Sequence, residues 1–398
     1  MAGFRFQSAW ALALLAVVTL AGCSGPERLS PVPAMQSERA HPLGLANARF
    51  YPGTEADQMT KEGEEALKRE QAVWRAAGNS GPLPPVNFLA ISGGGDNGAF
   101  GSGLLVGWTA SGTRPQFKLV TGVSTGSLIA PFAFLGSEYD KPLEAVYTTI
   151  TPVQVFRMRG LVGGVFNDAL ADTSPLADTI ARYMDQNMVA AIAREYQKGR
   201  LLLIGTTDLD AQRPVIWNIG AIAASGHPGA LDLIRQILRA SSAVPGMFQP
   251  VLIDVELDGK KHQELHVDGG AVAQLFLYPP NIDPTVYPRG RKAYIIRNAR
   301  LDPEWAETEP RTLSIAGRAI STMLAASGHN DVLRVYFVTQ RDKVDYNLAY
   351  IGRDFTTPHK EEFDPVFMKA LYKYGYDQAR AGYRWHKSPP GLETSGGR

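Results

Sequence analysis

Two glycine-rich turns in this sequence combine a serine with backbone amides in a way that suits acyl transfer. The second turn, 122–126, reads G-V-S-T-G and places Ser124 between an apolar run that predicts a strand, 117–121, and an apolar run that predicts a helix. A serine on such a strand-to-helix corner exposes its hydroxyl above the sheet, and flanking glycines allow the close backbone approach that the corner requires. Ser124 is therefore the predicted nucleophile, framed by Gly122 and Gly126.

The first turn, 92–98, supplies the other half of that chemistry. It carries Gly93, Gly94 and Gly95 between the predicted strand 86–91 and a predicted helix. Consecutive glycines let backbone N–H groups converge on one point near the positive end of a helix. Donors of this kind contribute about 2.7–4 kcal/mol each to the transition state, so these glycines form the predicted oxyanion hole.

The same turn also satisfies a dinucleotide-binding pattern. Gly93, Gly95 and Gly98 have the G-x-G-x-x-G spacing after a strand. That fingerprint needs an acidic residue about 20 positions further on to hold the ribose. Residues 109–137 contain no Asp or Glu, and the second strand ends in the serine corner instead. The two turns together therefore favour acyl transfer over nucleotide binding.

A base for the serine is predicted at Asp268. This residue ends a short alternating run and precedes two glycines, the arrangement expected where a strand terminates at a site and the chain turns sharply. An aspartate with its ordinary pKa of about 3.9 is a weak base beside imidazole. The oxyanion hole would then have to carry more of the barrier.

Three histidines keep other assignments open. The order Ser, Asp, His is that of α/β-hydrolase triads, and both His329 and His359 follow Asp268. His329 follows a small-residue stretch and is predicted on a loop. His266 alternates onto the same strand face as Asp268, where a structural role is favoured over a pocket-lining one.

Four motifs, in order, resemble the patatin-like phospholipase family. They are the glycine loop 93–98, the serine corner 122–126, the segment 240–250 that reads A-S-S-A-V-P-G-M-F-Q-P, and the Asp-Gly-Gly of 268–270. The resemblance covers roughly residues 86–300. It implies a patatin-like fold and hydrolysis of lipid acyl esters.

The resemblance also implies roles for single residues. In this family a Ser-Asp dyad works without a histidine, which makes Ser124 the nucleophile and Asp268 its base. Gly94 and Gly95 would be the foremost amide donors of the oxyanion hole. This chain departs from many members in one respect, because Asp96 stands in the glycine loop where they carry a basic residue.

The N-terminus resembles the leader of a bacterial lipoprotein. Its apolar run, 9–20, is too short to span a bilayer and fits the hydrophobic region of a signal peptide at 1–22. Cys23, the single cysteine, follows small residues as in a lipobox, so the resemblance implies acylation there and stable membrane anchoring. A serine directly after the cysteine, here Ser24, resembles the pattern of lipoproteins that are sorted to the outer membrane. The predicted location is the bacterial cell envelope, at the outer membrane and facing the periplasm.

Composition divides the rest of the chain. The polar, proline-spaced residues 23–45 predict a lipidated cysteine with a flexible tether that, at about 3.1 Å per residue, could hold the catalytic body on the order of 60 Å from the bilayer. An N-terminal helical extension is predicted at 46–85, and the catalytic core at 86–300. A C-terminal α/β extension packed on the core, 301–388, and a disordered tail, 389–398, complete the predicted organisation.

Alternating strands and helices predict a three-layer α/β/α sandwich with a mostly parallel central sheet and the site at the carboxyl ends of its strands. Asp364 and Pro365 have the N-cap and first-turn preferences of a C-terminal helix. The further predicted strands are 201–207, 292–297 and 334–338, and the further predicted helices are 230–241 and 312–327.

Overall composition limits the function classes. A hydrophobic content of 44%, a charged content of 20% and a formal net charge of +1 argue against disorder and nucleic-acid binding. The sequence predicts no cofactor and no metal. The predicted partners are a lipid or phospholipid substrate and a membrane reached through Cys23, and the oligomeric state is left open.

The predicted function is that of a serine lipid acyl hydrolase of phospholipase A or lysophospholipase type. It would cleave carboxyl esters through an acyl intermediate on Ser124, in lipid degradation at the envelope. Two alternatives stand beside it. One is an esterase or deacylase for other esters, and the other is a non-catalytic envelope lipoprotein that uses the fold as a docking module.

Overall fold

The computed structural model describes residues 28–159, 169–280, 284–286 and 288–392 of the 398-residue chain. The predicted signal peptide, Cys23 and most of the predicted tail lie outside these residues, so those assignments stay predictions. Within the described ranges, no helix is both long and apolar enough to cross a membrane.

Strands and α-helices alternate through most of the chain. The strands are β1 Arg49–Phe50, β2 Val86–Ile91, β3 Leu119–Val123, β4 Arg157–Met158, β5 Ala171–Asp172, β6 Leu201–Asp208, β7 Arg213–Asn218, β8 Val251–Leu257, β9 Lys260–Asp268, β10 Arg291–Arg297 and β11 Asp345–Tyr350. The α-helices of the described residues are α1 Ala56–Ala76, α2 Gly98–Ala110, α3 Thr125–Leu135, α4 Asp140–Thr149, α5 Ser174–Tyr183, α6 Gln186–Gln197, α7 Ile219–Ala224, α8 Ala230–Ser241, α9 Thr312–Arg341 and α10 Pro365–Arg380.

One mixed sheet with a parallel centre organises the molecule. Its order is β1-β7-β6-β3-β2-β10-β11, with β9 paired to β6 and β8 paired to β9. The strands β6, β3, β2, β10 and β11 are mutually parallel, while β7, β1, β9 and β8 are added in antiparallel pairings. The five parallel strands bring their carboxyl ends to one edge, which is called the catalytic edge below.

Both faces of the sheet are buried, as the runs of apolar residues in its strands require. Leu89 and Ile91 of β2 belong to a large core shared with α2, α3, α8 and α10. Their neighbours Phe88 and Ala90 point to the opposite face, towards α1 and α9. The three-layer α/β/α architecture predicted from the sequence is thereby confirmed.

One predicted strand is wrong. Residues 334–338 lie inside α9 rather than in a strand, and the strand of this region is β11. The run R-V-Y-F-V has β-branched and aromatic residues that suit a strand, but burial at Asp331, Val332, Val335 and Thr339 follows helical spacing instead. Packing against the sheet therefore overrides the local preference.

The predicted C-terminal extension is joined closely to the core. The strand β11 pairs in parallel with β10 as the last strand of the same sheet. The helix α10 lies against α2, where Cβ atoms at Gly103 and Gly107 would come 2.0 and 2.2 Å from the carbonyl oxygens of Tyr372 and Tyr376. The boundary at residue 300 therefore does not separate two independent cores.

The predicted flexible tether is wrong from residue 28 onward. Arg28 forms an ion pair with Asp210 at 2.8 Å, and the amide of Leu29 donates to Gln263 on β9. Further along, His41 exchanges two backbone hydrogen bonds with Glu256 on β8. Composition alone suggested an unattached segment, but the outer edge of the β8–β9 hairpin offers backbone and acidic partners that bind it.

Candidate active site

The sheet brings the predicted nucleophile and base together because two strands meet end to end along one edge of β6. The strand β3 pairs with β6 as far as Val123 opposite Gly205. The next position of β6, Thr206, pairs with Asp268 at the end of β9, which arrives from the opposite direction. Since both strands end at this junction, Ser124 and Asp268 face each other across it.

Ser124 occupies a strained backbone conformation at the corner between β3 and α3. Its φ of 55° and ψ of −127° lie in a region that costs of order 1–3 kcal/mol for a residue with a side chain. The turn is tight enough that a Cβ at Gly122 would lie 2.4 Å from the carbonyl oxygen of Gly126. A Cβ at Gly126 would lie 2.2 Å from the carbonyl oxygen of Ile91. Glycine is therefore required on both sides of the serine.

Ser241 holds this corner in place. Its hydroxyl accepts a hydrogen bond from the amide of Ser124 at 3.0 Å and donates to the carbonyl of Gly205 at 2.7 Å. The strained turn is thus fixed to β6 through a fully buried side chain. Sequence reasoning noticed the segment 240–250 that contains Ser241 but did not assign this role to it.

Asp268 is buried and accepts a hydrogen bond from the amide of Gly270 at 2.7 Å. Burial raises the pKa of Asp268 to about 7, against the opposing effects of hydrogen bonds from the Ser124 side chain and Gly270. The sequence-based expectation of a weak base with an ordinary pKa therefore needs correction. A carboxylate with a pKa near neutrality matches the requirement for a general base at physiological pH.

The glycine loop has amides available for an oxyanion at only two of the three predicted positions. The amide of Gly93 donates to the carbonyl of Gln274 at 3.1 Å, so it is already used. The amides of Gly94 and Gly95 donate to no group in the part of the chain that the structure describes. Gly94 has a φ of 156° and packs so close to Asn298 that a Cβ would lie 1.9 Å from its carbonyl oxygen. This geometry favours Gly94 and Gly95 as the donors.

Asn298, directly after β10, clamps the glycine loop. Its side-chain amide donates to the carbonyl of Ser92, and its side-chain oxygen accepts from the amide of Gly101 in α2. Its own backbone amide donates to the hydroxyl of Ser92. The sequence signal for this role is weak, being only a polar residue that follows a buried strand at the catalytic edge.

Arg297 places a buried positive charge beside the loop. It is 4% exposed, and its guanidinium donates to the hydroxyl of Ser92 at 3.2 Å. No carboxylate of the described residues forms an ion pair with it. Asp331, which acts on it electrostatically, instead accepts from the amides of Gln274 and Leu275. Burial lowers the pKa of Arg297 to about 10, so it stays charged at neutral pH.

The position of Arg297 bears on the departure noted in the glycine loop. A buried cation raises the electrostatic potential around it, because the low dielectric constant of the interior screens its charge little. In this chain a positive charge lies beside the glycine loop at the end of β10, while the loop itself carries Asp96. Sequence reasoning identified the strand but not this function of its last residue.

The acidic residue in the loop has a structural role. The carboxylate of Asp96 accepts from the amide of Phe363 at 2.8 Å and pairs with His359 at 2.7 Å. Its hydrogen bond to Asp96 raises the pKa of His359, with burial acting in the opposite direction. His359 thus fastens the glycine loop to the segment before α10 and does not contact Ser124.

The other two histidines are also separate from the dyad. His329 lies within α9, not on the predicted loop, and no hydrogen bond joins it to Ser124 or Asp268. His266 is fully buried and hydrogen-bonds Thr206 and Glu264. Neither arrangement forms a Ser-His-Asp triad.

Two clusters of the described residues have side-chain donors close enough to share a metal ion. They are Asp96, His359 and Glu362, and Asp208, Glu264 and His266. In the second cluster Arg49 forms a buried ion pair with Glu264. Burial opposes ionisation of Glu264, but the charge of Arg49 holds its pKa at about 2. His359 thus already pairs with Asp96 in the first cluster, and Arg49 pairs with Glu264 in the second.

An apolar cavity of about 90 Å³ lies next to the junction of the two strands. Its lining includes Val123 and Gly269, the direct neighbours of Ser124 and Asp268. It continues between the sheet and α9, past Val272, Phe276 and Val338. The apolar character of its lining suits an apolar ligand.

The family comparison agrees with this geometry. Residues 89–279 match the family model described as Patatin-like phospholipase. This range contains the glycine loop, Ser124, Ser241 and Asp268. No curated protein is similar enough to this chain to be matched by sequence.

Two solved structures show a distant likeness. VipD from Legionella pneumophila is 11% identical, with a TM-score of 0.37 over 75% of this chain and 66% of its own. Human GIVD cytosolic phospholipase A2, in complex with methyl gamma-linolenyl fluorophosphonate and terbium chloride, is 9% identical, with a TM-score of 0.29 over 84% of this chain and 64% of its own. This chain therefore spans just under two thirds of either protein, and similarity at this level carries no information on activity.

Proposed function

Because residues 89–279 of this chain belong to the patatin-like phospholipase family, we propose that the protein is a serine hydrolase of lipid acyl esters, with phospholipids as its main substrates. The observation that carries the proposal is the end-to-end meeting of β3 and β9, which sets Ser124 against Asp268. The glycine loop lies beside this pair, since a Cβ at Gly93 would come 3.1 Å from Cβ of Ser124.

The first half of the reaction acylates the enzyme. Asp268 takes the hydroxyl proton of Ser124 as the serine oxygen bonds to the ester carbonyl carbon. The carbonyl oxygen becomes an oxyanion that accepts hydrogen bonds from the amides of Gly94 and Gly95, and the charge of Arg297 favours it electrostatically. When the intermediate collapses, the ester C–O bond breaks and the departing alcohol takes the proton from Asp268. An acyl group remains on Ser124.

The second half releases the fatty acid. Asp268 removes a proton from a water molecule, whose oxygen attacks the acyl carbonyl and generates a second oxyanion at the same amides. Collapse of this intermediate breaks the bond to Ser124, and the serine oxygen recovers its proton from Asp268. A base with a pKa of about 7 is able both to accept and to return the proton at neutral pH.

The apolar cavity supports an acyl chain as the bound part of the substrate. It lies directly beside the neighbours of both dyad residues and is lined mainly by apolar side chains from the sheet and α9. We also propose that Cys23 anchors the protein by its lipid at the outer membrane, on the periplasmic side. The phospholipid substrate would then lie in the same membrane to which the enzyme is anchored.

Hydrolysis of short-chain nitrophenyl esters and of phospholipid vesicles tests the proposal. We expect wild type to cleave both, and Ser124→Ala and Asp268→Asn to lose at least about 10³-fold in kcat on each. His329→Ala serves as the matched control and should retain wild-type rates, since that side chain does not contact the dyad.

Three other outcomes would change the assignment. Loss of activity in a folded His329→Ala protein would point to a triad. Cleavage of nitrophenyl esters without cleavage of vesicles would point to an esterase or deacylase for other esters. A folded wild type that cleaves neither substrate would favour a docking module.

A further inference from the structure

The first half of α9 buries no side chain against the described part of the molecule, and its one hydrogen bond to another segment among those residues runs from Arg318 to the carbonyl of Glu304. The whole helix has 30 residues, about 45 Å, whereas β11, to which it leads, has 6 residues and spans about 20 Å. Its second half packs on the sheet through Val332 and Val335. None of the side chains described between residues 312 and 327 is buried.

This first half of α9 projects from the catalytic edge. The helix α9 connects β10 to the parallel strand β11, so it begins on the carboxyl side of the sheet and runs back along it. Gly328 marks the level of the edge, because a Cβ there would lie 2.3 Å from the guanidinium of Arg297, the last residue of β10. The preceding residues of the helix therefore extend about 24 Å beyond the edge that carries Ser124.

The projecting part has an exposed apolar stripe, as helices that bind at a membrane surface do. Ile315, Ala319, Met323 and Ala326 recur at helical spacing and form an exposed apolar stripe. Ile315 is 53% exposed and Met323 63%. Residues 312–330 contain no Asp or Glu, so no acidic side chain of the helix opposes contact with an anionic lipid surface.

Other exposed apolar side chains lie at the same edge. Leu209 directly follows β6, and Val272 lies four residues after Asp268. Val366 is the second residue of α10, and the amide of Phe363, two residues before that helix, donates to Asp96 in the glycine loop. Apolar residues that surround a site and remain exposed indicate an interaction surface.

The N-terminus of the described chain reaches this edge as well. Arg28 is fixed to Asp210, two residues beyond the end of β6. Cys23 lies five residues before Arg28, a separation of at most about 18 Å even in a fully extended chain. A lipid on Cys23 would therefore hold the catalytic edge, not the opposite side of the body, next to the bilayer.

We propose that the first half of α9 is an interfacial helix that docks the catalytic edge on a phospholipid bilayer, with the stripe Ile315, Ala319, Met323 and Ala326 against the lipid. The choice of a bilayer over a second copy of the chain rests on the proposed lipid substrate and anchor. Docking through this helix makes the hydrolysis of phospholipid vesicles depend on residues far from the dyad, whereas the hydrolysis of soluble esters does not depend on them.

A local fluorescence measurement tests docking without requiring activity. In the full chain carrying Cys23→Ser and Ser124→Ala, an environment-sensitive fluorophore is attached to Met323→Cys or, as the matched control, to Ser321→Cys. Both positions are exposed, but two residues apart on a helix they point in nearly opposite directions. Vesicles of phosphatidylethanolamine and phosphatidylglycerol should raise the emission intensity severalfold and shift the emission to shorter wavelength when the label is at 323. Both changes should be small when the label is at 321.

Two results would overturn the proposal. An equal response, or none, at the two positions would show that the stripe does not enter the lipid. A change at 323 that follows protein concentration without vesicles would show that a second copy covers it.

An activity measurement on otherwise wild-type protein separates docking from the dyad. Ile315→Glu with Met323→Glu should lower vesicle hydrolysis at least tenfold and leave nitrophenyl ester hydrolysis unchanged, while Ser321→Glu should change neither. Equal loss on both substrates would contradict docking. If wild type hydrolyses neither substrate yet the label at 323 responds to vesicles, the proposed function fails and the docking surface stands.

Discussion

At the scale of single residues, the most consequential feature is that Asp268 lies where a carboxylate becomes a stronger base than in water. Burial raises its pKa to about 7 although it keeps hydrogen bonds from Gly270 and Ser124. This offsets the weakness of a dyad that has no histidine. In the proposed mechanism, Arg297 and the free amides of Gly94 and Gly95 act on the oxygen that becomes negative.

The pH dependence of activity follows from this pKa. Asp268 must be ionised to accept the serine proton, and a group with a raised pKa loses its charge as the pH falls through the raised value. We expect kcat/KM on a soluble ester to be constant above pH of about 8 and to fall about tenfold per unit below pH of about 6. A profile that stays flat down to pH of about 5 would contradict an Asp268 base with this pKa.

The same burial should cost stability. Between its ordinary pKa of about 3.9 and the raised value of about 7, the folded protein binds one more proton than the unfolded chain, so stability declines as the pH rises across this window. Asp268→Asn removes that cost. We expect the variant to be more stable than wild type at pH of about 8, by at most about 4 kcal/mol, with the difference vanishing near pH of about 4. Urea unfolding at both pH values measures this, and lower stability of the variant at the higher pH would contradict the account.

At the scale of elements, the site depends on where strands end. The proposed nucleophile and base come from β3 and β9, which stop at adjacent positions of β6, and the loop that faces them follows β2. Ser241 in α8 joins this junction to the serine corner by hydrogen bonds to Ser124 and Gly205. A change in α8 should therefore act on catalysis without touching substrate.

Neighbouring serines in α8 and its C-cap allow a matched test of that link. Ser241→Ala removes both hydrogen bonds and should lower kcat about 10–100-fold with little change in KM, because the strained corner relaxes. The adjacent Ser242 is also buried, but its hydroxyl has no hydrogen-bond partner in the described structure. Ser242→Ala should therefore retain wild-type kcat. Equal effects of the two substitutions would show that Ser241 acts only through packing.

Elements with strong local signals were predictable from sequence. Val86–Ile91 and Ala230–Ser241 have the predicted limits, and Asp364 caps α10 by accepting from the amide of Val366. The strand before Ser124 was predicted two residues early, since glycine at position 122 obscures its end. The strand prediction for residues 334–338 failed because these residues suit a strand and a buried helix equally well.

Contacts between distant residues were not predictable in the same way. The motifs suggested which serine and aspartate to pair, and the structure places them together, although their catalytic roles remain a proposal. The roles of Ser241, Asn298 and Arg297 depend on partners tens to hundreds of positions away, and no local pattern identifies such partners. The raised pKa of Asp268 likewise arises from burial by the whole fold.

At the scale of the whole molecule, the catalytic edge gathers features from both ends of the chain. Arg28 is bound to Asp210 after β6, and Leu29 and His41 are bound to the β8–β9 hairpin, so the body does not swing on the long tether that composition suggested. The first half of α9 projects from the same edge. An enzyme arranged in this way would meet its substrate with one defined face.

Covalent labelling by a fluorophosphonate, followed by intact-mass and peptide mass analysis, tests the central claim most directly. We predict a single adduct per wild-type chain, located on Ser124. It should be absent in Ser124→Ala, strongly slowed in Asp268→Asn and unchanged in His329→Ala. An adduct on another serine, or undiminished labelling of Ser124→Ala, would contradict the assignment of Ser124 as the nucleophile.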